Sequence, residues 1–195
     1  MVAPLIPYAI KGVIWYQGES NESNGREYRT LLRALITDWR AKWGQGDFPF
    51  LIVQLANYGH LEPAPPGPTG GLWPWVREAQ SLALALPNTG MAVTIDIGDP
   101  NNIHPKDKQD VGARLALVAQ RVAYGADVVD SGPVYDSIKV EDNAIRIAFK
   151  NAGGGLMMGK PAAPRDELTG FGIAGGGPAM ALGQGGNRWR HRGGL

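Results

Sequence analysis

The chain has 195 residues, the size of one ordinary domain or of one domain with a small appendage. Lys and Arg number 19 and Asp and Glu number 18, so a formal charge of +1 supplies no overall field to hold nucleic acid or an anionic membrane. The absence of cysteine excludes disulfides and thiolate nucleophiles, and three histidines are too few for a metal cluster unless carboxylates supply most ligands. We therefore expect no metal, no cofactor, no nucleic acid and no membrane partner.

Three pairs of a strand pattern and a helix pattern follow one another in the first part of the chain. The strand patterns are GVIWYQ at 12–17, FPFLIVQL at 48–55 and MAVTIDIG at 91–98. The helical patterns lie between Gly25 and Gly44, at 76–87 and at 107–125. Three such units in succession predict an α/β fold with an open, mostly parallel sheet.

The remaining segments have the composition of loops and of an appended β structure. Residues 59–75 are rich in proline and glycine and predict a loop. The runs PVYDSIKV and AIRIAFK flank a turn at 141–143 and predict a β-hairpin. The predicted organisation is an α/β domain at 1–126, a β-rich appendage at 127–174 and a Gly-rich, disordered tail at 175–195.

The first residues do not have the pattern of a signal peptide or of a membrane anchor. MVAPLIPYAIKGVIWYQ has no basic segment before an apolar core and no run long enough to span a bilayer. The sequence therefore predicts neither a signal peptide nor a membrane anchor in this chain, and it leaves the compartment open.

Polar loops follow the first and third predicted strands, at Gln17–Asn21 and Asp96–Pro105. Ligands of open α/β sheets bind beyond the carboxyl ends of the strands, and a serine esterase needs a nucleophile, a base, an orienting carboxylate and oxyanion donors there. The two loops offer one candidate set for these roles: Ser20 as nucleophile, His104 as base, Asp99 or Asp96 as orienting carboxylate, and Gln17 with the Gly18 amide as oxyanion donors.

Each candidate also has an interpretation in which it only shapes a loop. Ser20 suits a turn or a helix N-cap, and His104 suits the start of a helix before a proline. Asp96 and Asp99 suit loop capping, and Glu19 suits a salt bridge that anchors its loop. Spacing alone leaves both interpretations open.

The same residues lie in segments that closely resemble the sialate O-acetylesterase family of SGNH hydrolases. The motifs WYQGESN at 15–21 and IHP at 103–105 occur in the family's order, and the resemblance extends over roughly residues 4–174. It implies a three-layer α/β/α fold with a parallel sheet that is incomplete at the N-terminus, followed by a C-terminal antiparallel β appendage. It also implies a metal-free serine esterase that removes O-acetyl groups from carbohydrates of the sialate or xylan type and acts on short-chain esters.

The resemblance assigns roles to individual residues. His104 matches the catalytic histidine of the family, and Gln17 with Gly18 matches the block on the oxyanion side. Asn102 stands where the family usually has an acidic residue, so the orienting carboxylate is Asp99 or Asp96, or the site is a dyad without one. The further candidates for binding the oxyanion or the substrate are Glu19, Asn21 and Asn102.

The family carries its nucleophilic serine on a strand upstream of WYQGESN, and this chain begins after that point. We expect from this a partial or frame-shifted reading of a longer esterase gene. Ser20 lies in Gly-Glu-Ser-Asn, which is similar to the Gly-Gln-Ser-Asn of the family's nucleophile motif, and is either a replacement nucleophile or a loop residue in an inactive chain. The missing strand would expose a sheet edge that a homo-oligomer could cover.

An inactive chain would still be able to bind sugars. In this alternative the protein is a carbohydrate-binding module, and Tyr58, Trp73 and Trp75 stack on the sugar rings.

Overall fold

A computed structural model describes residues 2–59, 72–142, 144–153, 156, 172–174 and 180–182. These residues fall into two compact units, one extending to Ser131 and the other beginning at Gly132. The predicted boundaries at 126 and 174 remain predictions.

A parallel sheet of three strands forms the centre of the first unit. The strands lie in the order β1 (Val13–Trp15), β2 (Phe50–Val53) and β3 (Thr89–Ala92). All four residues of β2 are buried, as expected for the middle strand of a sheet that helices cover on both faces. The predicted parallel α/β sheet is confirmed.

Helices cover the two faces of this sheet in separate layers. The helices are α1 (Gly25–Trp43), α2 (Leu72–Leu82) and α3 (Lys108–Tyr124). Ile52 of β2 lies in one apolar cluster with residues of α1 and α2, whereas its neighbour Leu51 lies in a second cluster with Val118 of α3. Because successive side chains of a strand point to opposite faces, β2 joins two helix layers, and the expected three-layer α/β/α architecture is confirmed.

The structure corrects the prediction for the last part of the 59–75 loop. Helix α2 begins at Leu72, so Trp73 and Trp75 are helical residues rather than loop residues. Pro74 is compatible with this position because the N–H groups of the first helical turn have no partner within the helix. Residues 60–71 of the predicted loop lie outside the described residues.

The third strand is displaced from its predicted position at 91–98. β3 begins at Thr89, where it pairs with Phe50, and it ends at Ala92. Beyond it the Thr94 hydroxyl donates to the carbonyl of Gln54 at 2.5 Å, and the amide of Ile97 donates to the carbonyl of Thr94 at 3.2 Å. The chain therefore turns at the carboxyl edge of the sheet instead of extending the strand.

The second unit contains the predicted β-hairpin. Strands β4 (Val134–Glu141) and β5 (Ala144–Lys150) pair antiparallel, which confirms that prediction, although Asn143 of the turn lies outside the described residues. Hydrogen bonds from Arg146 to both carboxylate oxygens of Glu141 lower the pKa of that carboxyl to about 2. The short strands β6 (Gly172–Ala174) and β7 (Met180–Leu182) also pair antiparallel. Apart from Met180–Leu182, the predicted Gly-rich tail lies outside the described residues.

The outer edge of β1 has no strand partner among the described residues. β1 pairs with β2 on one side, and Ile14 in its middle is 69% exposed. An open edge with an exposed apolar residue can pair with another chain. A homo-oligomer remains a prediction, which light scattering of the purified protein would test.

Candidate active site

The carboxyl ends of β1, β2 and β3 lie at one edge of the sheet because the strands are parallel. The segments that leave this edge are residues 16–24, 54–59 and 93–107. The first and third contain every residue predicted for the esterase site, so the fold brings the two predicted loops to the same side of the sheet.

Gln17 is fixed by hydrogen bonds in the segment that follows β1. The hydroxyl of Tyr28 donates to Gln17 Oε1 at 2.8 Å, and Gln17 Nε2 donates to Asn21 Oδ1 at 2.7 Å. Burial raises the pKa of Tyr28. A hydrogen bond with Trp15 lowers this pKa by a smaller amount, so the net shift is upward. The phenol therefore stays protonated and orients the carboxamide. The second N–H of Gln17 Nε2 has no acceptor among the described residues, so it is available to a ligand.

Gly18 lies where α2 leaves no room for a side chain. Its φ is 152°, and a Cβ there would lie 2.9 Å from Val76 Cγ1 and 3.4 Å from Gln80 Nε2. Alanine would therefore force the backbone of this segment away from α2. The close approach fixes the position of the Gly18 amide, the second predicted oxyanion donor.

Gln80 of α2 connects the segments that follow β1 and β2 through hydrogen bonds. The sequence analysis did not predict this role. Its side chain is fully buried, with Nε2 donating to the carbonyl of Gln17 at 3.2 Å and Oε1 accepting from the amide of Leu55 at 3.0 Å. A glutamine on the otherwise apolar face of Val76, Ala79 and Ala83 was the available signal. A buried side-chain amide needs hydrogen-bond partners, and here backbone groups supply them.

Replacing Gln80 with leucine is expected to lower the free energy of unfolding by about 1–3 kcal/mol, because the substitution leaves buried backbone groups without partners. Urea unfolding measures the effect. Gln109→Leu, at an exposed position of α3, is the matched control and is expected to change stability by less than about 0.5 kcal/mol. Equal stability of the Gln80 variant and the parent would show that these hydrogen bonds do not hold the site.

Ser20 lies in a 3₁₀ segment, Glu19–Asn24, that begins directly after Gly18. Its side chain is exposed, and its hydroxyl has no hydrogen bond within the described part of the chain. Glu19 beside it is half-buried, and its negative charge adds to burial in raising the pKa of Tyr16. The segment thus presents a free hydroxyl at the sheet edge.

The loop that contains His104 is shaped by two of the other predicted residues. A carboxylate oxygen of Asp99 accepts from the amide of Asn101 at 2.9 Å, and Asn102 Oδ1 accepts from the amide of His104 at 2.9 Å. The imidazole of His104 is exposed and has no hydrogen bond to any described residue. Asp99, Asn102 and His104 therefore share one folded loop, but neither an Asp–His nor a Ser–His hydrogen bond is formed.

Asp96 has a different partner. Its two carboxylate oxygens accept from Arg114 of α3 at 2.5 and 2.7 Å, and this hydrogen bonding raises the pKa of the guanidinium. Arg114 also donates to the carbonyl of Val93 at 2.8 Å. The bidentate pair holds the end of β3 against α3.

Two contacts that the sequence did not predict connect the segments that follow β1, β2 and β3. Asn57 Oδ1 accepts from the amide of Gly98 at 2.7 Å, which links the segment after β2 to the loop of His104. The Lys108 ammonium, at the first residue of α3, lies 4.9 Å from the ring centroid of Tyr16. These partners are far apart in the sequence and belong to no spacing motif. Asn57, a polar residue shortly after a buried strand, was the one signal in the sequence that pointed to either contact.

The described residues contain no group of three or more histidine, aspartate or glutamate side chains placed to hold a metal ion. None of the described helices combines the length and the apolar character needed to cross a bilayer.

The layers and the polar loops at the carboxyl edge of a parallel sheet define a three-layer α/β protein of the SGNH-hydrolase type. Residues 3–121 match the family described as carbohydrate esterase, sialic acid-specific acetylesterase. The chain belongs to this family, as the motifs WYQGESN and IHP predicted.

Individual relatives agree with the family match. The chain is 38% identical over 159 residues to a mouse sialate O-acetylesterase and 35% identical over 159 residues to the human sialate O-acetylesterase, in each case over 72% of this chain. It is similar to the crystal structure of a carbohydrate acetylesterase from Xanthomonas citri, with a TM-score of 0.70, 46% identity, and coverage of 77% of this chain and 35% of that chain. The matches span 28% of the mouse protein and 29% of the human protein, so the chain corresponds to less than a third of these relatives.

Proposed function

We propose that this chain is a serine-dependent esterase that removes O-acetyl groups from carbohydrates and also acts on short-chain esters. The observation that carries the proposal is the family match over residues 3–121, which includes both loops at the carboxyl edge of the sheet. The mouse and human relatives are sialate O-acetylesterases, a name that denotes removal of an O-acetyl group from a sialate.

In the proposed reaction Ser20 is the nucleophile and His104 is the base. The Ser20 oxygen attacks the acetyl carbonyl carbon while its proton passes to the imidazole. The resulting oxyanion accepts hydrogen bonds from the Gly18 amide and from the N–H of Gln17 that is still available. Collapse breaks the bond between the acetyl carbon and the sugar oxygen, and the imidazolium protonates that oxygen to release the sugar alcohol.

Water then completes the cycle. The imidazole of His104 takes a proton from a water molecule, whose oxygen attacks the acetyl-serine carbonyl. The bond between the acetyl carbon and the Ser20 oxygen then breaks, and that oxygen takes the proton from the imidazolium. Acetic acid leaves and ionises in solution to acetate and a proton. Neither the Ser20 hydroxyl nor the His104 imidazole has a hydrogen-bond partner among the described residues, so pairing these two groups would break no existing side-chain hydrogen bond.

We assign the orienting role to Asp99 rather than to Asp96. Asp96 is held in the bidentate pair with Arg114, whereas Asp99 lies in the same folded loop as His104. The second oxygen of the Asp99 carboxylate has no hydrogen bond among the described residues, which leaves it able to accept from the imidazole.

The alternative, a carbohydrate-binding module without catalysis, has less support from the aromatic residues it would use. Trp73 donates its indole N–H to the carbonyl of Ala56 at 2.9 Å and packs against Tyr58 with the ring centroids 5.6 Å apart. The Trp75 ring is covered by two arginines. These contacts use the rings that a stacked sugar would need.

Release of acetate from an O-acetylated sugar by the purified 195-residue chain tests the proposal. We expect one acetate per acetyl group removed, detected by mass spectrometry of the sugar and enzymatic assay of the acetate. A folded chain, as judged by circular dichroism, that binds the sugar without releasing acetate would favour the binding-module alternative and contradict the proposed activity.

A further inference from the structure

Tyr16 lies directly before Gln17, where β1 has ended, and its side chain reaches toward the segment that contains His104. Ile14, two residues earlier, pairs with Leu51, whose side chain packs with α3. Side chains two residues apart in a strand share a face of the sheet, so Tyr16 lies on the α3 face as well. The Tyr16 side chain is partly buried there.

Tyr16 contacts both ends of the segment 93–107. Where α3 begins, the Lys108 ammonium lies 4.9 Å from the centroid of the Tyr16 ring, a distance at which a cation is attracted to the π face. Where the chain leaves β3, a side-chain hydrogen bond joins Tyr16 to Thr94. Thr94 is fully buried, and its hydroxyl donates to the carbonyl of Gln54 at 2.5 Å, so this contact is anchored in the core.

The other contacts described above connect the two loops of the proposed site indirectly. Gln80 joins the segments after β1 and β2, and Asn57 joins the segments after β2 and β3. Tyr16 belongs to the first of these segments and contacts both ends of the third. Its side chain therefore bears directly on the distance between the oxyanion donors and His104.

We propose that Tyr16 is a positioning residue that holds the His104 segment at a fixed distance from Ser20. This inference rests on the proposed esterase function and names the contact that aligns its base with its nucleophile. The imidazole and the oxyanion donors must act on one acetyl group at the same time. A shift of about 1 Å between the two loops is therefore expected to cost up to about a hundredfold in rate.

The kinetic test measures kcat and KM for p-nitrophenyl acetate in two Tyr16 variants. Tyr16→Leu removes both contacts, and we expect kcat to fall about ten- to a hundredfold. Because alignment matters in the transition state more than in binding, KM should stay within about twofold of the parent value. Tyr16→Phe keeps the ring next to Lys108 and loses only the hydrogen bond with Thr94, so we expect kcat to fall only about two- to tenfold.

Two variants of Lys108 test the contact from the other side. Lys108→Gln removes the cation and is expected to lower kcat about two- to fivefold. Lys108→Arg keeps a cation that can lie over the Tyr16 ring, so it is expected to retain the parent kcat.

Tyr124→Leu is the matched control. The Lys11 ammonium lies 5.4 Å from the centroid of the Tyr124 ring, so this tyrosine makes the same kind of contact. Tyr124 ends α3 and Lys11 precedes β1, which places the pair at the sheet edge opposite the candidate site. The control is expected to keep the kcat and KM of the parent. Circular dichroism verifies that each variant is folded.

Amide hydrogen exchange, followed by NMR, tests the positioning role without turnover. The amides of Ile97, Gly98 and His104 are hydrogen-bonded in the structure. In Tyr16→Leu we expect these amides to exchange about tenfold faster than in the parent, because their segment opens more often. The amides of β2 should keep their exchange rates, whereas a general loss of stability would speed up exchange there as well.

The outcomes separate this inference from the proposed function. In a chain that hydrolyses the ester, the inference is overturned if Tyr16→Leu keeps the parent kcat or if Lys108→Arg loses as much activity as Lys108→Gln. Faster exchange in β2 as well as in the His104 segment would also overturn it. If the parent releases no p-nitrophenol, the esterase function fails. Exchange in the His104 segment that still depends on Tyr16 then supports the positioning role, and unchanged exchange overturns it.

Discussion

Replacing His104 with alanine is expected to lower the turnover of p-nitrophenyl acetate by about two to four orders of magnitude, the usual contribution of a positioned general base. The imidazole is exposed and makes no hydrogen bond to a described residue, so its removal should leave the fold intact. The rate of p-nitrophenol release by parent and variant, at equal concentrations and with matching circular dichroism spectra, measures the effect.

Lys106→Ala is the matched control for this substitution. Lys106 is exposed in the same loop, and the structure gives it only a backbone contact, from the amide of Lys108 to its carbonyl. The control is therefore expected to keep the parent rate. Unchanged turnover in His104→Ala would remove this residue from the mechanism.

The Ser20→Ala variant decides between the two roles that the sequence left open for Ser20. A nucleophile and its base act as one unit, so loss of either is expected to reduce turnover by a similar factor. Retained turnover in Ser20→Ala, together with lost turnover in His104→Ala, would mean that Ser20 is a loop residue and that another group attacks the ester.

A second large effect is expected for Gly98→Ala. A Cβ at this position would lie 2.1 Å from the backbone oxygen of Asn57 and 2.5 Å from its Oδ1, distances that no side chain can adopt. The loop of Asp99 and His104 must then move away from the segment after β2 and lose the hydrogen bond to Asn57. We expect about 1–3 kcal/mol lower stability and, because a shift of about 1 Å in a catalytic group is costly, about a hundredfold lower kcat/KM.

Gly112→Ala is the control for Gly98→Ala. Gly112 lies inside α3, and a Cβ there would meet no atom within 4 Å. Alanine is a better helix former than glycine, so this variant is expected to gain about 0.5–1 kcal/mol and to keep its activity. Thermal unfolding and ester hydrolysis are measured on both variants. Equal behaviour of the two glycine variants would contradict the close contact between Gly98 and Asn57.

The architecture of the first unit could be predicted because its signals are local. The apolar run that contains β2 and the spacing of Tyr28, Leu32 and Ile36 in α1 are read directly from neighbouring residues. The start of α2 was missed because a proline-rich composition favours a loop, whereas Pro74 falls in a first helical turn that tolerates it. β3 occupies residues 89–92 and not the predicted 91–98 because its position is set by pairing with β2, and this pairing cannot be predicted from local sequence.

The sequence predicted where in the fold the candidate site lies, but it did not predict the contacts within that site. Parallel strands bring their carboxyl ends to one edge, so the order of strands and polar loops was enough to place Ser20 and His104 on the same side. The hydrogen bonds of Gln17 and the choice between two aspartates were not predictable, since they depend on side-chain orientation.

The sequence by itself determined the class of fold, the family and the edge of the sheet where the chemistry is proposed to occur, because each follows from local patterns and ordered motifs. Only the tertiary structure decided that Arg114 holds Asp96, that Gln80 joins the ends of β1 and β2, and that Arg26 stacks on Trp75. The physical reason is the same in all three cases. These partners lie far apart along the chain, and a hydrogen bond or a cation–π contact forms only after helices and strands have packed at fixed distances.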